Sequence, residues 1–325
     1  MSNSHFLVKG GFILRLMSKF FRLILILFMI SLLSFFLSNI SSIDSAETIA
    51  HHLYGNPSSE QIEKVRIEKG LDKPIFVQYT NWLKMAVTGN LGTSYQTSNP
   101  VVTDIKEKFW ATITLVIAAL FFIVLFTIPL SLVSAYKKGE FVDKLIQNIT
   151  ILGISIPSFW LGYLLLSLFA ITIPIFRVVE YGNFRSLILP SITLAIPVIS
   201  SSTKLLRTIL LENMEQEYVI YAKSRGLSNK RILCNHILKN SLPPMITLFF
   251  QNIGMMIAGS VIVESVFSWP GLGSYFMSSI INRDTPAITG CMLMLGIIFV
   301  ISNSIAENIN HLLSPHIFKG EEFNG

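Results

Sequence analysis

Long uncharged runs of apolar residues limit the folds open to this chain more than any other feature. Five runs each have at least the roughly 18 residues that a helix needs to cross the hydrocarbon core of a bilayer. They lie at residues 111–136, 145–176, 186–203, 240–263 and 285–306. A further stretch, 20–38, carries only Arg22, whose long side chain can reach the membrane surface. Because lipid offers no partner to unpaired backbone groups, these runs predict an all-α integral membrane protein with about six transmembrane helices.

Composition and charge exclude two other classes of protein. Hydrophobic residues make up 51% of the chain and charged residues 14%, which excludes an ordinary soluble globular domain. The net charge of +6 could suggest a nucleic-acid partner, but the Lys and Arg residues are distributed as in a membrane protein, with an excess in the segments expected on the inner side. With the N terminus inside, the inner segments hold fifteen Lys and Arg residues and the outer segments ten. We therefore expect both termini to be cytoplasmic and expect no nucleic acid to bind.

The polar segments between the runs predict the domain organisation. A cleaved signal peptide is the alternative for the first apolar stretch, but that stretch is long and a poor cleavage pattern follows it. The mixed-charge segment that comes next predicts a small extracytoplasmic subdomain, helical over 59–69. The predicted order is a cytoplasmic tail (1–19), a first transmembrane helix (20–38), the subdomain (39–110), a five-helix core (111–310) with a cytoplasmic loop (211–240), and a cytoplasmic tail (311–325).

The charged loop between the fourth and fifth apolar segments predicts a helix-turn-helix elbow. Helix formers fill residues 212–224, and Gly226 can end that helix because glycine enters the left-handed region without steric cost. Ser228 can cap a second helix over 229–240. The apolar positions of the first helix fall on one stripe: Met214, Tyr218, Tyr221 and Ala222. A solvated linker with a glycine turn is the alternative interpretation.

The same loop resembles the EAA loop of permease subunits in binding-protein-dependent ABC importers. Ala222 and Gly226 match the alanine and glycine that the family places four residues apart, whereas Ile220 and Tyr221 replace its glutamate-alanine pair. The resemblance implies that the loop occupies a groove on an ATPase subunit and transmits its closure to the membrane helices. The coupling residues it implies are Glu217, Tyr218, Tyr221, Ala222, Arg225, Gly226, His236 and Leu238.

Two further segments resemble the dipeptide, oligopeptide and nickel branch of this family, in its B-type subunit. Residues 70–79, 81–83, 89–94 and 100–101, which include Gly92, are similar to the first external loop of those permeases. The sequence from Trp269 and Pro270 through Gly271 to Gly273 is similar to the loop between their last two helices. We expect this turn to place an aromatic anchor at the outer interface and to force a re-entrant bend. Together the matches imply the type I permease fold of ABC importers.

The motifs that the chain lacks determine what it must obtain from partners. No Gly-x-x-x-x-Gly-Lys-Ser/Thr segment occurs, so we expect ATP and Mg²⁺ to bind to partner subunits and this chain to bind no cofactor. No catalytic residues or metal ligands are predicted. The resemblance implies a second permease subunit, identical or different, two ABC ATPases at the cytoplasmic loop, and an extracytoplasmic solute-binding protein. It also places the chain in the lipid bilayer of a bacterial plasma membrane.

The transported solute stays open at this point. The resemblance implies nickel, a metal chelate, or a di- or oligopeptide, and the wording at 241–247 and 282–284 is closer to nickel permeases. His51 and His52 are adjacent, so their side chains point apart and indicate no metal site. A membrane-embedded hydrolase and a membrane signalling scaffold are the alternative functions. A hydrolase would need paired polar groups within the helices, whereas Glu264 and Glu307 are predicted at helix ends.

Overall fold

The computed structural model describes residues 21–36, 44–178 and 181–313. This described part is built of helices and contains no β-strand. Short π-helical stretches lie at Ser167–Thr172 and Leu233–Ile237, each within a longer helix. In chain order the helices are α1 (Phe21–Phe36), α2 (Ser45–Tyr54), α3 (Ser59–Glu68), α4 (Ile75–Val87), α5 (Val101–Tyr136), α6 (Phe141–Ser155), α7 (Ser158–Thr172), α8 (Phe184–Met214), α9 (Glu217–Ser224), α10 (Asn229–Val266), α11 (Leu272–Ile281) and α12 (Thr285–Leu313).

Four described helices, α5, α8, α10 and α12, are long and apolar enough to cross a membrane. Helices α6 and α7 pass the same test together, as a pair bent by 103°, and can form a fifth crossing. The all-α membrane fold is therefore confirmed. Helix α1 is shorter than these helices, and residues 20, 37 and 38 of the first predicted segment lie outside the described residues. A sixth crossing stays a prediction, and the tails 1–19 and 314–325 lie outside the described residues as well.

The structure changes several of the predicted helix bounds, two of them in the first half of the chain. Helix α5 begins at Val101, well before the apolar run at 111, because its first turns carry charged residues such as Asp104 that hydropathy does not count. The run at 145–176 is divided at Pro157, where the chain bends between α6 and α7. Ile156 before this proline is extended, as expected for a residue that precedes proline.

One compact unit contains the described residues up to Lys108 together with Tyr275–Val300. The helix predicted over 59–69 is present as α3, and Ser58 and Gln61 satisfy its first turn through a reciprocal capping box. Helices α1 and α4 share a buried aromatic cluster: Phe35, Tyr79 and Trp82. The polar segment after the first helix is thus a small helical assembly with its own packed side chains.

The other compact unit contains Phe109–Ser274 and the described residues from Ile301 onward. Helix α8 packs against α6, α7 and α10 and forms the centre of this unit. Pro197 lies inside α8 and Pro129 inside α5 without ending either helix. Packed membrane helices tolerate such prolines because neighbouring groups can satisfy the freed backbone. The charged loop belongs to this unit.

Candidate functional site

We call residues 215–238 the elbow, and its local structure follows from its sequence. Helix α8 runs to Met214, a short turn follows, and α9 begins at Glu217. The predicted helix over 212–224 is therefore wrong at its start, because its first residues continue α8. Ser228 caps α10, as predicted, by accepting a hydrogen bond from the Arg231 amide. Helix α10 does not stop at 240 but continues through the membrane-spanning run.

Gly226 forms the turn of the elbow through a Schellman motif. The Leu227 amide donates to the Ala222 carbonyl over 3.3 Å, and the Gly226 amide donates to the Lys223 carbonyl over 2.9 Å. Gly226 has a φ of +76°, in the left-handed region that favours glycine. A Cβ atom added there would meet no atom within 4 Å. The position thus requires glycine for its backbone conformation and not for lack of space.

The inner face of α9 packs on the core of its unit. Val219 and Ala222 are buried there, and Tyr218 packs beside them while donating a hydrogen bond from its hydroxyl to Asn213 Oδ1 over 3.3 Å. Leu238 of α10 packs against the same cluster. The buried partners come from helices α5, α8 and α10: Ala135, Leu206, Leu210, Ile232, Leu233, Ile237 and Met245. A firm apolar base therefore fixes the orientation of α9.

The outer face of the elbow is exposed. Tyr221 is 65% exposed, and the Arg225 guanidinium lies 5.9 Å from the centre of its ring. Glu217 and His236 are exposed too. Met214, Tyr218 and Ala222 of the predicted stripe pack on the same buried cluster, and the prediction is wrong for Tyr221 alone, which lies on the exposed side of α9. The structure instead places the eight predicted coupling residues on one segment with a buried inner face and an open outer face.

The second predicted motif, residues 267–273, forms a buried turn between α10 and α11. Trp269 is only 3% exposed, and its indole N–H donates to the Ala111 carbonyl over 3.0 Å. Its ring meets Tyr181 edge to face at 4.8 Å, and Pro270 follows it within the turn. The predicted aromatic anchor at the outer interface is therefore wrong, because Trp269 satisfies its polar edge inside the protein.

Glu264 explains the glycines of this turn. Its side chain is fully buried and accepts hydrogen bonds from the Thr112 hydroxyl over 2.6 Å and from the Ser274 amide over 2.9 Å. A Cβ atom on Gly271 would lie 2.6 Å from Oε1 of this carboxyl group, and one on Gly273 would lie 2.9 Å from Oε2. Gly271 thus leaves the space that the carboxyl group fills, and Gly273 leaves space both for this group and for the nearer Cα of Val261.

Sequence reasoning treated Glu264 only as a residue at a helix end and missed this role. A carboxyl group inside an apolar helix is costly unless it is well hydrogen-bonded, and such a residue is a functional candidate by default. The short spacing between Glu264 and the glycine-containing turn could have indicated that the carboxyl group packs against the turn. The hydrogen bond from Thr112 could not be predicted from the sequence, because Thr112 lies in a distant part of the chain.

Gly92, the remaining predicted motif residue, belongs to the first compact unit and not to the unit of the buried turn. Its φ is +94°, and a Cβ atom there would lie 3.3 Å from Pro286 Cβ. The loop after it is held by two buried carboxylates, since the Ser94 hydroxyl donates to Asp284 and the Thr97 hydroxyl donates to Asp104, each over 2.5 Å. Burial raises the pKa of Tyr95 in this loop above its usual range.

Among the residues that the structure describes, no group of three or more His, Cys, Asp or Glu side chains is placed to hold a metal ion. The His51 ring lies 3.0 Å from the Gly55 carbonyl oxygen, one turn along its own helix.

Two protein-family models match the sequence. The family described as "binding-protein-dependent transport system inner membrane component" matches residues 127–319. A family described as the N-terminal part of such membrane components matches residues 12–116. The first match contains the elbow and the buried turn, and the second contains the loop with Gly92.

Several curated relatives are similar to the chain over most of their length. The metal-staphylopine import system permease protein CntB of Staphylococcus aureus is 30% identical over 311 residues, which cover 95% of this chain and 98% of the relative. A putative peptide transport system permease protein of Brucella abortus is 33% identical over 300 residues, covering 90% and 95%. The glutathione transport system permease protein GsiC of Escherichia coli is 30% identical over 291 residues, covering 90% and 94%.

These matches confirm the resemblance inferred from the sequence motifs and do not favour a hydrolase or a signalling scaffold. Proteins of this kind are non-catalytic membrane components that work in ABC importers with other permease, ATPase and binding-protein components. The ATPase subunits are separate chains, and the permease carries no cofactor of its own. The chain belongs to the family of binding-protein-dependent transport system inner membrane components, the permeases of ABC importers.

Proposed function

We propose that this chain forms part of the translocation pathway of an importer for small peptides or metal chelates, and that its elbow couples the pathway to ATP hydrolysis by partner subunits. The shape of the elbow carries the proposal. Val219 and Ala222 pack the inner face of helix α9 on the buried cluster, and Tyr221 and Arg225 lie on its exposed outer face. A short helix on an apolar base suits docking into a groove, where aromatic and arginine side chains supply much of the contact energy.

The proposed assembly contains two permease subunits, identical or different, two ABC ATPases that bind ATP and Mg²⁺, and an extracytoplasmic solute-binding protein. The excess of Lys and Arg in alternate loops supports a cytoplasmic elbow and cytoplasmic termini in a bacterial plasma membrane. Under this arrangement the ATPases contact Tyr221, Arg225, Glu217 and His236 on the outer face of the elbow. Gly226 gives the turn its geometry, and Tyr218, Ala222 and Leu238 join the elbow to the helices.

The relatives named above are permeases for a metal-staphylopine complex, a peptide and glutathione. Two of these solutes are a peptide and glutathione, itself a small peptide, and the third is a metal complex. We therefore propose a small peptide or a metal complex as the cargo.

Reconstitution tests the proposal directly. The chain should co-purify with the ATPase and permease subunits encoded with it, and vesicles containing the complex and its binding protein should accumulate a labelled dipeptide or nickel chelate when ATP is present. The matched controls omit ATP, the ATPases or the binding protein in turn. Accumulation that persists without the ATPases, or labelling that finds Tyr221 on the outer side of intact cells, would overturn it.

A further inference from the structure

A buried ion pair joins two helices of the second compact unit. On α8, Arg207 donates from Nε to Asp143 Oδ1 over 2.8 Å and from Nη2 to Oδ2 over 2.6 Å. The Asp143 side chain on α6 is only 4% exposed and that of Arg207 19% exposed. This fork-to-fork contact fixes the relative orientation of the two side chains as well as their distance.

Two further donors complete the carboxylate. The Ser134 hydroxyl of α5 donates to Oδ1 over 2.5 Å, and the Gly139 amide in the α5–α6 connection donates to Oδ2 over 2.8 Å. Gln147 of α6 donates in turn to the Ser134 hydroxyl over 3.2 Å. A carboxylate has about four hydrogen-bond acceptor positions, so the four donors occupy all those of Asp143. Three helices therefore meet at one carboxylate, which we call the clamp.

The clamp lies beside the apolar base of the elbow. Leu206 and Leu210, on either side of Arg207 in α8, are buried in the same cluster as Val219 and Ala222 of the elbow. On α5, Ala135 follows Ser134 and belongs to that cluster too. The same turns of α5 and α8 thus touch the elbow through apolar side chains and hold α6 through the clamp.

Stability alone does not account for such a pair. A buried ion pair commonly stabilises a protein no more than apolar residues of the same volume would, since both charges lose their hydration. Its particular property is geometric, because four directed hydrogen bonds permit one arrangement of the helices that carry them. A force applied at the elbow would reach α6 through these bonds without being absorbed by sliding of α6 along α8.

We infer that Asp143 and Arg207 are positioning residues that make α5, α6 and α8 move as one body with the elbow. The inference rests on the proposed function, since it assumes that ATPase subunits move the elbow. It predicts that breaking the clamp separates ATP hydrolysis from transport. The elbow would still dock and the ATPases would still turn over, but the bent pair α6 and α7 would no longer follow.

The test uses the complete importer in proteoliposomes, with uptake and ATP hydrolysis measured on the same preparation. For Asp143→Asn and Arg207→Gln we expect uptake per ATP to fall by about tenfold or more, while ATP hydrolysis stays within about twofold of the unchanged importer. Arg207→Lys keeps the charge but loses the fork, so its uptake per ATP should be intermediate. Lys204→Gln removes an exposed charge one turn earlier in α8 and should leave the ratio unchanged.

A single variant that leaves one charge buried can fail to assemble, so the double variant Asp143→Asn with Arg207→Gln is measured as well. It removes both charges together, and it should assemble with low uptake per ATP. A normal ratio in this double variant, or an equal loss of uptake and hydrolysis in every clamp variant that assembles, would overturn the inference. Absence of ATP-driven uptake in the unchanged importer would instead refute the proposed function.

Discussion

The elbow and the buried turn at 267–273 use glycine for opposite physical reasons. At Gly226 the space around a side chain is open, and only the positive φ calls for glycine. At Gly271 the Glu264 carboxyl group occupies the place where a side chain would go, and at Gly273 the Val261 backbone occupies it together with Glu264 Oε2. The elbow keeps an exposed outer face, whereas the turn buries both Trp269 and Glu264. The first region therefore offers an open outer face, as the proposed docking requires, whereas the second holds its own helices together.

Substitution of Gly273 should produce the largest effect if the turn is a packing device. A Cβ atom there would overlap the Cα of Val261, which is backbone and cannot rotate away. We expect Gly273→Ala to lower the free energy of unfolding by about 3 kcal/mol, the upper range for overpacking. Thermal unfolding in detergent and the amount of folded protein in membranes measure this. Gly259→Ala is the matched control, since its nearest neighbour would lie at an ordinary 3.7 Å.

Removal of the Glu264 carboxyl group should be the next largest effect, and it tests whether that group is the reason for Gly271. Glu264→Ala leaves the Ser274 amide and the Thr112 hydroxyl without their acceptor, and we expect a loss of about 2 kcal/mol. Gly271→Ala should cost much less in the Glu264→Ala background than alone, because the clashing atoms are gone. A double-mutant cycle on unfolding free energies measures the difference. Additive costs would contradict the proposed packing.

Truncation of Tyr221 tests the opposite property of the elbow. This side chain packs on no buried cluster and is 65% exposed, so Tyr221→Ala should change the unfolding free energy by less than about 0.5 kcal/mol. Under the proposed docking it should weaken ATPase binding about tenfold, or about 1.4 kcal/mol. Binding of the purified ATPase to vesicles containing the permease measures this. Tyr54→Ala, at an exposed tyrosine in the other unit, is the control and should leave binding unchanged.

What the sequence could predict also differs between the two regions. The turn at Gly226 and the cap at Ser228 depend on neighbours a few residues away, and both were predicted correctly from residue type. The predicted first residue of the elbow's first helix was wrong because good helix formers continue across the end of α8. Tyr221 was predicted on the same stripe as Ala222, but neighbouring positions on a helix do not share a face. Hydropathy cannot find such an end within a charged loop.

The buried turn depends on contacts that a local pattern does not contain. Trp269 was predicted at an interface because its indole group often lies there, but its acceptor is the distant Ala111 carbonyl. The clamp was missed for the same reason, since Asp143 and Arg207 lie on different helices and each reads as an ordinary loop charge. The membrane fold and the family, in contrast, follow from long runs and extended motifs. Each of those patterns extends over many residues, so its prediction does not depend on any single tertiary contact.

The smallest effect in this series concerns Gly226, and it separates strain from steric exclusion. Alanine at a φ of +76° is strained by about 1 kcal/mol, whereas asparagine enters the left-handed region more readily. Since no neighbour obstructs a side chain there, Gly226→Asn should retain most uptake and Gly226→Ala should retain less, although asparagine is the larger residue. Initial rates of ATP-driven uptake at equal amounts of assembled importer measure this order. If uptake instead fell with side-chain size, from alanine through asparagine, then the docked ATPase and not the backbone would require glycine at this position.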